Sequence, residues 1–464
     1  MKISFHGADH NVTGSCHQIE CGGRRLLVDC GLYQGRRELE EENAGPFGFD
    51  PADIDYLLLT HAHLDHCGRI PLLAKRGFKG EIITTAASRE LARLVMLDAA
   101  NLQEEEAEYK RRKAARHGGR VRGIEPLYTT LDALDALDLF GRKARYGKPL
   151  QVAPGIRATF VDAGHILGSA CILLELEEDG AQRRVLFSGD LGNRGRPILR
   201  DPAPPPRADV VVMETTYGNR LHKPLGPSVE ELYEAINDTF RRGGNVVIPT
   251  FALERSQEIL FHLREGMEAG RIPRTTQVFL DSPMAISATE IFRRHPECYD
   301  AETLDLFREG RDPFRVPSLH FTRQTADSIA INRIDGGAVI MAGSGMCTGG
   351  RVRHHLKHNL WRRDSSVVFV GYAAEGTLAR LIVDGAEKVR IFGEQIPVRA
   401  RVYTIGGFSA HADQAELLAW HARTGTPSRT FLVHGEDEIM RGFGRLIRDS
   451  RVDLPRLHQQ FDLL

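Results

Sequence analysis

The segment His61-Ala62-His63-Leu64-Asp65-His66 carries four side chains able to bind a metal within six residues. Imidazole nitrogens and a carboxylate are the donor set that zinc and related divalent ions take in proteins. Side chains at i and i+2 of a near-extended segment share a face, so His61 and His63 can grip one ion. Asp65 and His66, beyond the bend, can face a second. A lone histidine in a polar loop usually only makes hydrogen bonds. Four donors at this spacing, with no apolar periodicity to account for them, point instead to a metal site.

The neighbouring elements suit that task. Tyr56-Leu57-Leu58-Leu59 is an apolar run fit for a buried strand, and Ile70-Pro71-Leu72-Leu73-Ala74 reads as the start of a helix, which puts the motif on a strand-to-helix loop. As far as about Asp209, short strand-like runs dominate: Ser15–Glu20, Arg25–Asp29, Asp55–Leu59, Glu81–Thr84, Ile156–Asp162, Cys171–Leu176 and Arg184–Ser188. Helical patterns lie near Arg89–Ala115 and Leu131–Phe140. Strands with helices packed on them imply an α/β layered domain. Three strands end on a polar residue: Asp29 in LLVDCG, His165 in VDAGHILGSA and Asp190 in LFSGDLG. A strand end fixes a side chain while the loop after it leaves it accessible. Beside glycine either aspartate could be a turn former; with the histidine motif the three become a coherent ligand set.

The whole chain sets the bounds. Its 464 residues allow about two to three domains. Hydrophobic residues at 42% and charged residues at 27% are ordinary for a soluble enzyme. A net charge of −1 excludes a global basic field, so any polyanion site must be local. The seven cysteines are scattered without a CxxC pair, which argues against a disulfide framework or zinc knuckle and fits a reducing cytoplasm. The N-terminus lacks the apolar core of a signal peptide, and no run of about 18 apolar residues is present, so a cytoplasmic protein with no membrane partner is expected.

Asp201–Arg207, DPAPPPR, reads as a linker, because four prolines in five residues preclude a helix or a central strand. Beyond it the pattern alternates: strand Asp209–Glu214, helix Val229–Arg242, strand Asn245–Pro249, helix Arg255–Ala269, strand Gln277–Asp281, then strand Ala338–Ala342, helix Arg351–Trp361 and strand Ser366–Val370. This predicts a doubly wound parallel sheet over residues 208–397. It is inserted between residues 1–207 and 398–464. The last segment brings His411 in GGFSAHAD, where Asp413 can cap a helix to about Ala422. It also brings His434 at the tip of strand Thr430–Val433, in the strand-end manner of the first domain.

A dinuclear site needs three or four ligands per ion and often a shared carboxylate. His61, His63 and His165 can serve one ion, Asp65, His66 and His434 the other, and Asp190 can bridge. Zinc is the natural choice for this donor set, with Mn, Fe or Co open by ligand type. A water between two such ions has its pKa lowered toward ~7 and can attack as hydroxide, so the chemistry implied is hydrolysis.

HAHLDH, with Asp29, His165 and Asp190 at strand ends, resembles the motifs of the metallo-β-lactamase superfamily, whose fold is an αββα sandwich. Glu214 in METTYG, His411 in FSAHAD and His434 in LVHGE resemble three further motifs of the β-CASP nucleases, and the proline-linked insert resembles their β-CASP domain. The resemblance covers essentially the whole chain. It looks strongest to bacterial and archaeal relatives of the endonuclease subunit of the eukaryotic pre-mRNA 3′-end cleavage factor. It implies a metallo-β-lactamase sandwich with an inserted doubly wound β-CASP domain, two zinc ions, and ribonuclease action on single-stranded RNA, endonucleolytic, 5′-exonucleolytic or both. It further implies a catalytic set of His411, Glu214, Asp65 and Asp29, with His434 as the last ligand and His411, paired with Glu214, as general acid. Thr215 stands where serine is usual, and keeps the hydroxyl. There is no room for the N-terminal RNA-binding extension of many archaeal relatives or for the C-terminal domain of ribonuclease J, so substrate selection is expected to rest on the cleft. A homodimer is compatible with the pattern.

Two segments fit a phosphodiester. Gly343–Arg351, GSGMCTGGR, follows a strand and precedes a helix, so backbone N–H groups around Ser344, Gly345, Gly349 and Gly350 could hold phosphate, although such turns are usually only turns. Arg255 opens a helix at a strand end, where its guanidinium could clamp phosphate. Ser409, beside His411, joins this group. The charged run Glu104–Arg122 reads first as a solvated helix face and second as an accessory RNA contact. The alternatives to a ribonuclease are a DNA nuclease, a small-molecule metallo-hydrolase and an RNA-binding scaffold. The insert weighs against a small substrate, and the full ligand set against a scaffold.

Overall fold

The computed structural model describes residues 1–35, 41–116, 123–371 and 373–463. The chain forms two compact units, one of Met1–Arg194, Asp201–Leu221 and His411–Leu464, the other of Gly195–Arg200 and His222–Ala410.

The first unit is built on two sheets, each seven-stranded among the described residues. In spatial order the first holds Gln460–Asp462, Lys2–Phe5, His17–Cys21, Arg24–Val28, Tyr56–Leu58, Glu81–Thr85 and Phe140–Ala144. The second holds Arg451–Asp453, Arg429–Val433, Val210–Glu214, Ala181–Phe187, Ala170–Glu178, Ile156–Asp162 and Leu150–Ala153. Alternation along each strand sorts side chains between two layers. Val210 and Val212 join Phe5, Leu26, Leu58, Phe160 and Phe431 in the core between the sheets. Val211 and Met213 point the other way, to Leu417, Trp420, Met440 and Phe443 of the covering helices Gln414–Ala422 and Asp437–Gly444. The helix Ala86–Arg116 packs against the strands Glu81–Thr85 and Phe140–Ala144 of the first sheet. Phe431 is fully buried, and its truncation to alanine should cost about 3–5 kcal/mol.

The second unit carries a parallel sheet in the order Leu319–Phe321, Gln277–Leu280, Ala338–Ala342, Val246–Pro249, Ser366–Phe369 and Arg401–Thr404. Both faces are covered, as all-apolar parallel strands require. Val246, Ile248, Val339 and Met341 pack with Leu232, Ile236 and Ile259, whereas Val247, Ile340 and Phe369 pack with Val352, Leu356 and Ile382.

Two strands lie on the other side of the expected domain boundaries. Val210–Glu214 opens no inserted sheet; it pairs in parallel with Ala181–Phe187 and Arg429–Val433 in the first unit. Arg401–Thr404 pairs in parallel with Ser366–Phe369 and so closes the inserted sheet instead of resuming the first domain. The helical pattern at Leu131–Phe140 also resolves differently. A helix with a Thr129/Asp132 capping box covers Thr130–Leu137, and Phe140 begins an edge strand. Of the charged run, residues 117–122 lie outside the described residues. Its Lys110–Glu106 and Arg112–Glu108 pairs are exposed i,i+4 contacts on a helix face, each worth only about 0.3–0.5 kcal/mol.

Candidate metal centre

Six strand or helix ends of the first unit converge on one buried cluster. After the strand Tyr56–Leu58 the chain stays extended to His63, which caps the short helix Leu64–Cys67; Asp65 and His66 lie in that helix's only turn. The neighbouring backbone is packed against this turn, since a Cβ on Gly31 would stand 1.6 Å from the Asp65 carbonyl oxygen. His165 and Asp190 follow the strands Ile156–Asp162 and Ala181–Phe187. Glu214 ends its strand and His434 follows the adjacent one, where Glu214 registers with Val433. His411 sits in an isolated antiparallel bridge with Gly192, just before the helix capped by Asp413, whose box with Glu416 is complete. A side chain at Gly192 would collide with the Gly164 carbonyl, 1.8 Å away.

The donor atoms fall into two main groups, and Asp190, Glu214 and His434 form a third that overlaps both. His61, His63, His165 and Asp190 each offer one within a single 4.8 Å cluster, and so do Asp65, His66 and His434. Asp190 faces both: Oδ2 is 3.4 Å from His61 Nε2 and 3.6 Å from His165 Nε2, while Oδ1 is 3.2 Å from His66 Nε2 and 3.7 Å from His434 Nε2. Its carboxylate is 1% exposed, and Oδ1 has no hydrogen-bond donor. Ring nitrogens also confront one another, His61 Nε2 and His165 Nε2 at 3.1 and 3.2 Å from His63 Nδ1, and His66 Nε2 at 3.3 Å from His434 Nε2. Such a crowd of lone pairs around an orphaned carboxylate oxygen is costly in a protein interior and is satisfied by cations, so the residues fit divalent metal ions.

Protonation agrees with ligation in the first donor group, whereas at His66 and His434 burial is outweighed by nearby carboxylates, Asp190 foremost, which raise both imidazoles, so an ion there must displace protons. Burial pushes His63 down to about 3, with His61 adding to the effect, and holds His165 well below the usual imidazole range. Both are therefore neutral, the form that binds metal. Burial also opposes charge on Asp190, but the surrounding His434, His66 and His61 outweigh it and keep the carboxyl well below its ordinary range.

The rings are held from behind. Asp29 accepts from His66 Nδ1 at 2.8 Å, from the Thr60 amide at 2.7 Å and from the Thr60 hydroxyl at 2.8 Å. Because a carboxylate only accepts, Thr60 must donate to it and then accept from His61 Nδ1 at 3.0 Å. One aspartate thus sets two rings with Nε2 toward the cluster. Asp29 is placed here as an orienting group, outside both donor groups. Thr216 does the same for His434, its hydroxyl 3.0 Å from Nδ1. Thr60 and Thr216 did not emerge from the sequence, although each adjoins a motif residue, in THAH and METT.

Glu214 is buried, accepts from the Leu191 amide at 2.5 Å and lies 3.3 Å from His411 Nδ1. Burial would depress His411; the Glu214 carboxylate outweighs it, and the imidazole rises to about 9. The His411 ring centroid is 4.5 Å from that of His165 and 6.3 Å from that of His434.

The residues expected to meet phosphate lie in the second unit. Arg255 is 9% exposed and ion-paired with Glu258, which also takes Arg196 at 2.9 Å, while the Arg255 Nε has no hydrogen-bond partner among the described residues. The Ser409 carbonyl accepts from Arg196. In the glycine-rich loop the Ser344 hydroxyl accepts from the Thr348 and Gly349 amides at 3.1 and 3.4 Å, and the Ser344 amide donates to the Gly349 carbonyl at 3.3 Å. These N–H groups close the turn on itself. Gly350, at φ 73°, approaches Gly343 so closely that a Cβ would lie 2.3 Å from its carbonyl oxygen. Gly345 packs under Phe251.

Two facing sheets with a buried histidine and aspartate cluster at their strand ends define a metallo-hydrolase of the two-sheet sandwich class. Residues 12–250 match the metallo-beta-lactamase superfamily, residues 256–382 the Beta-Casp domain, and residues 395–455 the Zn-dependent metallo-hydrolase RNA specificity domain. A ribonuclease of Thermus thermophilus is 42% identical over 458 residues, covering 98% of each chain. The transcription termination factor FttA of Methanocaldococcus jannaschii is 32% identical over 97% of this chain and 69% of its own. A crystal structure of a protein of unknown function from Enterococcus faecalis V583 aligns over 99% of both chains with a TM-score of 0.55 and 11% identity, a likeness of fold. The chain belongs to the metallo-β-lactamase superfamily and, within it, to the β-CASP family, as its motifs led us to expect. No helix among the described residues is long and apolar enough to cross a membrane.

Proposed function

We propose that this protein is a metal-dependent ribonuclease that hydrolyses phosphodiester bonds of single-stranded RNA. The observation that carries the reading is the Asp190 carboxylate, whose two oxygens face two separate ligand groups, with the His411–Glu214 pair beside them. We take the ions to be two zincs, held by His61, His63 and His165 and by Asp65, His66 and His434, with Asp190 shared, because imidazole dominates the donor set. When bound, they supply Lewis acidity and a water acidic enough to attack phosphorus near neutral pH.

The chain's own groups do the rest. Asp29, Thr60 and Thr216 hold the ligand rings in one tautomer and orientation, which spares reorganisation during the reaction. Glu214 keeps His411 protonated, and the imidazolium donates its proton to the departing 3′ oxygen. The 42% identical relative named a ribonuclease supports RNA as substrate. Seven cysteines, all buried free thiols, support a cytoplasmic setting. A homodimer is compatible with this reading and is checked by sedimentation.

End-labelled single-stranded RNA and DNA of matched sequence, incubated with the protein with and without chelator, test the proposal. RNA cut only when metal is present is expected. DNA cut in preference to RNA would overturn it.

A further inference from the structure

The inserted sheet has a second chemically distinct end. Its strands are parallel, so the residues before Val246, Ser366 and Arg401 gather at one end, and Gly343 with the glycine-rich loop at the other. At the first end Arg242, Arg363, Arg399 and Arg401 line a cleft of about 380 Å³. Two of the acids nearby, Asp238 and Asp364, are already engaged. Asp238 takes Arg401 and the Tyr403 hydroxyl at 2.7 Å and Arg242 at 3.2 Å, and Asp364 takes Arg362. Arg363 and Arg399 are exposed and make no ion pair or side-chain hydrogen bond among the described residues. The backbone that presents Arg399 is fixed, since the Arg399 and Ala400 amides both donate to the Leu360 carbonyl at 2.7 and 2.9 Å. Arg401 also borders an adjoining cavity of about 870 Å³ whose lining includes the rings of Phe240 and Tyr403, Arg241, and the carboxylates of Glu234 and Asp238.

Asp238 offsets Arg242 and Arg401, which leaves the unpaired Arg363 and Arg399 guanidiniums as the excess positive charge of the cleft; these repel one another, and an anion relieves that repulsion. The planar fork of arginine matches phosphate bidentately, and flanking aromatic rings offer a stacking surface for bases. A net charge of −1 on the whole chain makes this local concentration stand out as a built feature of one sheet end. We propose that the arginine cleft is an RNA-backbone exosite, which holds phosphates of the substrate strand with residues that are no part of the metal centre. The inference rests on the ribonuclease reading and adds to it a route by which longer strands are preferred.

The test compares the metal-loaded protein with the Arg363→Ala/Arg399→Ala variant, whose substitutions are on exposed, unpaired side chains. Binding of a long, phosphorothioate-substituted single-stranded RNA that resists cleavage is followed against salt, and cleavage of a short oligonucleotide is measured alongside. Loss of two phosphate contacts should lower the slope of log K against log salt by about 1.4 in magnitude, from ~0.7 per contact on single strands. Arg363→Lys/Arg399→Lys should keep most of the slope, and short-oligonucleotide cleavage should stay at the parent rate. An unchanged slope would overturn the exosite, as would a variant that loses binding of inorganic pyrophosphate but not of RNA. Equal loss of short-oligonucleotide cleavage would also overturn it, by placing the arginines in the reaction itself. If the parent protein binds RNA with the expected slope but cuts none, the ribonuclease reading fails while the exosite stands.

Discussion

Nδ1 of His411 lies 3.3 Å from Oε1 of Glu214, a carboxylate 1% exposed that also accepts from the Leu191 and Thr216 amides. The pair sits beside both ligand groups without belonging to the histidine set of either. Glu214 also groups with Asp190 and His434, whereas His411 is in no donor group, so on the proposed reading proton delivery can be disturbed at His411 without removing a ligand.

His411→Ala should therefore keep both ions and RNA binding while losing turnover by about 10²–10⁴-fold, the usual worth of a general acid. Glu214→Gln should act in the same direction but more weakly, because the imidazole remains. Single-turnover rates with metal content measured on the same samples check this. A variant that loses an ion would make His411 a ligand.

Asp190→Ala should cost both ions, since each of its oxygens faces one group, whereas His434→Ala should cost one. Elemental analysis after reconstitution gives the counts. Loss of a single ion from Asp190→Ala would mean that the carboxylate is not shared.

Asp29→Ala removes no donor from either group. It strips His66 and, through Thr60, His61 of the groups that orient them. Metal affinity should fall about 10–100-fold, the usual cost of losing such a partner, with two ions still bound at saturation. Titration with competing chelators reads both quantities.

How much of this was legible beforehand follows from how local each signal is. HAHLDH announces itself because its four donors are adjacent. Asp29, His165, Asp190 and His434 could be found because each follows an apolar run and stands beside or just before a glycine turn. The sheet that claims Val210–Glu214 was not legible: VVVME reads as a doubly buried strand in any company, and its neighbours come from residues 181–187 and 429–433. Arg401–Thr404 failed for the same reason. Arg255 was singled out because it opens a helix at a strand end; its ion pair with Glu258 was not weighed, and Arg196, which shares Glu258, lies far upstream in the chain.

The buried polar cluster behind the glycine-rich loop should show in acid stability. Asp281 accepts from the Thr322 and Ser328 hydroxyls and His355 Nε2 at 2.6 Å, and from Arg351 at 2.7 Å. Burial opposes its charge, but these donors outweigh burial and lower the carboxyl to about 2. A depressed folded-state pKa stabilises fully above the unfolded carboxylate range, near 4, and that stability is lost as pH falls from there toward 2. Urea midpoints of the parent protein should thus fall across this window more steeply than those of Asp281→Asn, which starts less stable. Parallel curves would show that Asp281 does not govern the acid limb.

The most direct test of the central claim is ribonuclease activity followed as divalent metal is titrated back into stripped protein. Cleavage of single-stranded RNA should rise only as the second ion binds, and Asp190→Asn should stay inactive at every metal concentration. RNA cleavage by the stripped protein, or by Asp190→Asn at the parent rate, would contradict a reaction run by this cluster.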